Sequence, residues 1–239
     1  MDGIVKKASI QDISDAIKTK NGCLYPYTPE MMPEAIIGLS TYGIDTPIDD
    51  LISGTATGLR NLTVTKINHK FKGYTNLQYI DLPNATNIGY QAFYQCSALN
   101  YLNLPSATTL GNQAFYQCSA LQHIILPNVT EINSDCFAEC TNLKKIEFNS
   151  QVTFNGDYIF SGCTNLTTVI LRYNGVCPIS DRVSRGVFAS ASGATPITSG
   201  TGYVYVPEAY LAAYQKNTRW SVYGTKNLRA IEYYPDICG

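Results

Sequence analysis

Five leucines, Leu77, Leu99, Leu121, Leu143 and Leu166, recur at intervals of 22, 22, 22 and 23 residues. Around them runs a longer pattern. Leu77-x-x-Ile80-x-Leu82-Pro83 becomes Leu99-x-x-Leu102-x-Leu104-Pro105 and then Leu121-x-x-Ile124-x-Leu126-Pro127. Each copy adds a later apolar residue (Ile88, Leu110, Ile132, Phe154) and an aromatic one (Phe93, Phe115, Phe137, Phe160). Phe71 and Tyr74 end a shorter, degenerate copy that opens near Leu59. A fixed period of this length is the mark of a chain that winds into stacked, equivalent units. The apolar spacing within each unit predicts a short strand, stopped by the proline. One such unit is not viable alone. Its apolar side chains contribute about 1.5–3 kcal/mol each on full burial, against roughly 1.5 kcal/mol for every residue ordered. Stacking offsets the deficit by pairing each strand and closing the core on both sides of every coil.

The segments Ile88-Gly89-Tyr90-Gln91-Ala92-Phe93-Tyr94-Gln95-Cys96 and Leu110-Gly111-Asn112-Gln113-Ala114-Phe115-Tyr116-Gln117-Cys118 are nearly superimposable. Together with Cys-x-x-Leu-x-x-Ile/Leu-x-Leu-Pro they resemble the BspA-type bacterial leucine-rich repeat over about residues 59–171. The resemblance implies a leucine-rich repeat solenoid, mainly β within the α/β class, with about five coils of 22–23 residues. It also implies a curved right-handed path, a parallel sheet on the inner face and short turns or strands outside. Two departures, Cys136 in place of alanine and Asp157-Tyr158-Ile159-Phe160 in the fourth coil, suggest irregular packing there.

The ends read differently. Ser9-Ile10-Gln11-Asp12 has the spacing of a helix-opening capping box, and Ile10, Ile13, Ala16 and Ile17 share one helical face. Thr28-Pro29-Glu30 starts a second short helix with Met32, Ala35, Ile36 and Leu39 on its apolar side. This run resembles the short helical opening of phage and prophage structural proteins, tail components included. Residues 1–45 are therefore expected to be a helical attachment module, residues 46–178 the solenoid, and residues 179–239 an irregular loop followed by a mixed cap. After Leu171 the register is expected to break, with the Ser/Gly/Ala/Thr-rich stretch 178–200 as a mobile excursion. Tyr203-Val204-Tyr205-Val206-Pro207 then reads as a strand, residues 208–215 as helix-compatible, and Trp220 as a lid over the open end of the core. The ensemble resembles the closing segment of prophage-type repeat proteins.

With 17 Lys+Arg against 18 Asp+Glu and a net charge of −1, the chain lacks the clustered cations that grip phosphates or an anionic bilayer. No apolar run approaches a membrane-spanning length, and the opening Met1-Asp2-Gly3-Ile4-Val5-Lys6-Lys7 is unlike a secretory leader. These features place the chain in the cytoplasm or on a virion, with the cell surface as the alternative. Cys96, Cys118, Cys140 and Cys163 recur with the repeat and read as a buried column of small hydrophobes. Parallel side-chain vectors in such a column are poorly disposed for disulfides. Cys136-x-x-x-Cys140 has no histidine partner for zinc, and no metal or cofactor is expected. His69 and His123 sit in no nucleophile or metal motif, and the glycines of Ser199-Gly200-Thr201-Gly202 are followed by no Lys-Ser/Thr. No catalytic residue is assigned.

What remains is the outward side of the inner strands. Alternation places Tyr79, Tyr101, His123, Lys145 and Thr168 in one outward column. Asp81, Asn103, Ile125, Glu147 and Ile170 form the next. A stacked aromatic strip flanked by Asp and Asn suits a protein loop or a sugar ring. It is equally consistent with rings that merely stabilise one another across the sheet. The eight residues Tyr79, Asp81, Tyr101, Asn103, His123, Ile125, Lys145 and Glu147 are the candidate ligand-binding set. They suit a non-enzymatic binding or assembly module with a protein or glycan ligand, without nucleic acid or membrane insertion, and able to oligomerise through its N-terminal helices. By resemblance the setting is a phage or prophage tail. The alternatives are an adhesin-like protein contacting host cells and an intracellular scaffold.

Overall fold

A computed structural model describes residues 58–60, 64–189 and 195–238. The expected N-terminal helices, with Cys23, lie outside the described residues. Each coil contributes one inner and one outer strand, and all pairings are parallel. The inner strands are β1 (Gly58–Arg60), β3 (Tyr79–Asp81), β5 (Tyr101–Asn103), β7 (His123–Leu126), β9 (Lys145–Phe148) and β11 (Thr168–Leu171). The outer strands are two-residue pieces: β2 (Lys66–Ile67), β4 (Asn87–Ile88), β6 (Thr109–Leu110), β8 (Glu131–Ile132) and β10 (Thr153–Phe154). The outer sheet runs unbroken from β2 to β10, whereas the inner one divides into β1-β3-β5 and β7-β9-β11, the latter extended by β12 (Tyr203–Val206) and β13 (Leu228–Ala230). The expected solenoid is therefore the observed fold.

The stack is held by two kinds of rung. Phe71, Phe93, Phe115, Phe137, Phe160 and Phe188 form one continuous pile, with centroids 5.3–5.8 Å apart and planes within 15° of parallel. The backbone beneath it is bonded from coil to coil: the amides of Phe93, Phe115 and Phe137 donate to the carbonyls of Ala114, Cys136 and Ile159 at 2.8–2.9 Å. The cysteine column is the second rung. The thiols of Cys96, Cys118, Cys140 and Cys163 donate to the carbonyls of Phe71, Phe93, Phe115 and Phe137 of the preceding coil, at 3.0–3.2 Å. All four are free and buried, as are Cys136 and Cys177. A thiol here fills a small apolar slot and still satisfies a carbonyl, which alanine would not do.

The irregularity expected at the fourth coil is absent. Cys136 and Ile159 occupy the alanine position without exposure, and the extra residue of that coil is absorbed within 155–157, before Tyr158 and Phe160 resume the register. After Leu171 the 22-residue period lapses as expected, yet the stacking continues. Ile179 bridges Phe154, the amide of Phe160 donates to Val187, and Phe188 extends the aromatic pile. Residues 178–188 thus build the outer half of a further coil. It is tied down by the Asp157 carboxylate, which accepts from the amides of Arg185 (2.6 Å) and Gly186 (3.0 Å) and from Ser184 Oγ (3.0 Å). The coil continues through α1 (Pro196–Ser199), N-capped by Thr195, into the inner strand β12 (Tyr203–Val206). Then come α2 (Glu208–Lys216), β13 (Leu228–Ala230), which pairs with β12, and α3 (Pro235–Cys238).

Trp220, the expected lid, belongs to the core. It is fully buried, packs edge-on against Phe154 and Tyr214, and donates Nε1–H to the Cys177 carbonyl at 2.7 Å. Tyr214 and Tyr223 are its companions, their hydroxyls accepting from the amides of Cys177 and Val187. Tyr223 also packs edge-on over Phe188, the last ring of the pile.

Between the inner and outer strands each turn holds two left-handed residues. The first is His69, Gln91, Gln113, Asp135 or Tyr158. The second is Gly73 and Gly162 in the flanking coils, but Gln95, Gln117 and Glu139 between them, with φ of 57–61°. A side chain in this region costs about 1–2 kcal/mol that glycine avoids. An exposed amide–amide bond, such as Gln95 Nε2 to Gln117 Oε1 at 2.8 Å, returns about 0.5–1.5 kcal/mol at best. Elsewhere coils touch backbone to backbone. A Cβ on Gly111 would stand 2.6 Å from the Gly89 carbonyl carbon.

Two outcomes follow from this packing. Gly111→Ala should lower stability by at least about 2 kcal/mol in chemical denaturation, because backbone on both sides must shift; an unchanged midpoint would contradict the observed coil separation. Burial drives the column thiols up, Cys96 to about 12, and holds Cys118 and Cys140 well above the ordinary thiol value. The folded chain therefore keeps protons that the unfolded chain sheds above about pH 8.5. Stability should be constant below that pH and fall above it, by up to about 1.4 kcal/mol per pH unit for each thiol ionised on unfolding. Alkylation at pH 8 should spare the six buried cysteines until the chain unfolds.

Candidate functional site

The strand registers place the outward columns as the sequence implies, with one interruption. Tyr79 lies beside Tyr101 and Asp81 beside Asn103, whose Nδ2 donates to Asp81 Oδ1 at 2.8 Å. His123, Lys145, Thr168 and Tyr203 follow one another, and Ile125, Glu147, Ile170, Tyr205 and Arg229 form the parallel row. No ladder joins β5 to β7 among the described residues. At that break Leu102, expected in the core, is only half-buried.

The eight candidates do not share one environment. Tyr79 is only 2% exposed, because its ring lies across β1 where Gly58 leaves room: a Cβ on Gly58 would fall 1.7 Å from Tyr79 Cε1. The fold thus uses it as a packing residue. Lys145 and Glu147 are buried as well, at 7% and 0% exposure. Glu147 Oε1 accepts from Arg172 Nε at 2.5 Å. Lys145 Nζ donates to the Ile237 carbonyl at 2.5 Å, so the chain's own C-terminal segment lies over this part of the strip. Ile170 and Tyr205 form a second, small apolar cluster beneath the segment, joined by Tyr203, Ile231 and Tyr234. Tyr234 packs edge-on against Tyr205 at 5.3 Å, and the Arg229 guanidinium sits over the rings of Tyr203 (3.3 Å) and Tyr234 (5.0 Å). Farther along, the amide of Glu208 donates to Glu232 Oε2 at 2.9 Å, and Tyr233 donates its hydroxyl proton to Glu208 Oε1.

Between the two covered ends a window stays open. Asp81, Tyr101, Asn103 and Ile125 are half-buried and His123 is exposed. Partial burial and then the adjacent Lys144 ammonium lower the His123 pKa, so its imidazole is neutral near pH 7 and offers one donor and one acceptor. The window therefore combines a phenol, a carboxamide, a neutral imidazole, a carboxylate and an aliphatic side chain. That set suits recognition by hydrogen bonding and packing; it contains no nucleophile paired with a base. Among the described residues no group of three His, Cys, Asp or Glu is placed to hold a metal ion. No helix among them is long and apolar enough to cross a membrane.

Tyr205, Arg229 and Tyr234 escaped the sequence reading. Tyr205 and Arg229 belong to the outward row because β12 and β13 continue the inner sheet. The available signal was Val206-Pro207, which repeats the strand-ending proline of Leu82-Pro83, Leu104-Pro105 and Leu126-Pro127.

Solved structures similar to this chain include two leucine-rich repeat proteins. A leucine rich cell surface protein from Faecalibacterium prausnitzii is 28% identical over 48% of this chain and 31% of its own, with a TM-score of 0.44. A leucine-rich repeat protein from Bacteroides ovatus is 21% identical over 65% of this chain and 49% of its own, with a TM-score of 0.33. The chain thus spans about a third and about half of these two proteins. No protein with a curated description matches. The BspA type leucine-rich repeat region matches residues 61–183 in six copies, just over half of the sequence. This chain belongs to the BspA-type leucine-rich repeat family.

Proposed function

We propose that the chain is a non-enzymatic binding module that engages a protein ligand through the open window of its inner face, around Tyr101, Asn103, His123 and Ile125. The observation that carries this reading is the occupant next door. On the same sheet face, residues 231–237 of the chain already lie as a bound peptide would, giving a backbone carbonyl to Lys145 and a ring to Tyr205. A face that accepts one peptide segment in this way has the chemistry to accept another: rigid rings for area and polar groups for register. Leucine-rich repeat proteins generally bind other proteins, which supports the same reading. In its finer form, residues 1–45 attach the module to an assembly of phage or prophage type, residues 46–178 present the surface, and residues 179–239 close it. The support for that form is the resemblance of the N-terminal run.

Panning a random peptide library on the intact chain tests the reading. Selected peptides should lose about tenfold or more in affinity on combined Tyr101→Ala and His123→Ala. Peptides indifferent to both changes would remove the window as the site. A variant lacking residues 231–239 should in addition bind a synthetic peptide of residues 230–237 in trans, which the intact chain should not. For the attachment role, native mass measurement should show an oligomer that dissociates when residues 1–45 are deleted; a monomer in both cases would overturn it.

A further inference from the structure

The turn side of the first three coils carries a second ladder, apart from the inner face. Tyr94 and Tyr116 stack at 4.9 Å and 9°. The Lys72 ammonium ends this stack, 4.7 Å from the Tyr94 centroid, while donating to Gln91 Oε1 at 2.9 Å. Gln91 Nε2 donates to Gln113 Oε1 at 2.6 Å, and Gln95 Nε2 to Gln117 Oε1 at 2.8 Å. Two carboxamide rungs therefore flank one phenol rung, all advancing one coil at a time. Each carboxamide has two donor hydrogens and two acceptor lone pairs, and the ladder uses only part of that capacity. Gln95 is exposed and the other rungs are half-buried, so the remainder faces water.

The backbone at Gln95 and Gln117 is the telling point. The equivalent positions in the flanking coils are Gly73 and Gly162, the residue that this left-handed conformation favours. An exposed amide pair does not recover the conformational cost of replacing glycine, so stability alone does not account for glutamine here. Strain held by exposed polar side chains points to a use outside the fold.

We infer that this lateral ladder binds a linear, neutral polysaccharide, one sugar ring per coil. The rung spacing, set by parallel strands about 4.8 Å apart, is close to the length that a pyranose unit contributes to an extended chain. Ring hydroxyls match carboxamides that both donate and accept, and the phenol edges, with their C–H and O–H groups, line the strip beside them. Charge decides against an ionic polymer. Lys72 stands at one end, whereas Asp135 and Glu139 continue the turn positions at the other, so a polyanion or polycation would be repelled from half of the strip.

Affinity electrophoresis of the intact chain in gels containing soluble β-glucan, α-glucan, β-mannan or β-galactan tests the inference. One of these polymers should retard the chain, with little change on added salt. Gln95→Gly with Gln117→Gly should weaken the retardation by about tenfold or more while leaving the thermal midpoint equal or higher. Tyr94→Leu with Tyr116→Leu should weaken it similarly, and Tyr101→Ala should leave it unchanged. No retardation by any of the four polymers would overturn the inference. So would full retention by the glycine pair, a fall in its thermal midpoint, or sensitivity to Tyr101→Ala, which would assign the sugar to the inner face instead.

Discussion

Everything in this molecule depends on the coil-to-coil hydrogen bond at the turn phenylalanines. Phe71, Phe93, Phe115 and Phe137 each give their amide to the next coil and take a thiol from it through their carbonyl, as Phe115 does with Cys136 and Cys140. A turn buried this deeply would otherwise strand polar backbone groups, which costs more than most side-chain contacts return. The 22-residue period is the length at which strand, outer strand and turn all regain register together. One extra residue is tolerated only where a loose segment absorbs it, as at residues 155–157. The phenylalanine pile and the thiol column are consequences of that register more than its causes, since equivalent side chains are brought into contact once the backbone repeats.

The same constraint explains why the ends look unlike the middle. A repeating stack has no internal way to stop: its last coil leaves a sheet edge and half a core exposed. Here the pile is closed by Tyr223 set edge-on over Phe188, and the core by Trp220 against Phe154. Both aromatic lids carry polar atoms that satisfy backbone groups, at Val187 and Cys177. Phenylalanine in either place would cover the core yet leave a backbone group without its bond. The inner sheet is continued by β12 and β13, so its outward face runs two strands beyond the leucine pattern.

Most of the fold was legible because the period fixes which residues are equivalent, and equivalence predicts burial for leucine, phenylalanine and cysteine alike. The sixth aromatic was missed for a definite reason. Phe188 follows Phe160 by 28 residues, not 22 or 23, and the added residues lie in the stretch 171–186, where composition suggested a loop. The site was less legible than the fold. Alternation assigns a side chain to a face but says nothing about what later covers that face. Tyr79 was lost to a contact with Gly58 that depends on the absence of a side chain across the ladder. Lys145 and Glu147 were lost to packing between residues far apart in the chain, the Lys145 to Ile237 bond spanning 92 positions. Tyr101, Asn103, His123 and Ile125 kept their expected exposure because nothing in the described chain lies over them.

Two surfaces of different origin emerge from one repeat. On the inner face burial by the chain's own C-terminal segment decides which side chains stay accessible. On the turn side no described residue lies over Gln95, which is exposed, but the backbone is held in a conformation that glycine would occupy more cheaply. Selection for stability would tend to replace Gln95, Gln117 and Glu139 with the glycine found in the flanking coils. Their recurrence in consecutive coils, beside the stacked Tyr94 and Tyr116, separates this surface from the inner one in physical kind. Accessibility sets the character of the inner face, whereas the lateral face holds side chains in a conformation that glycine adopts at less cost.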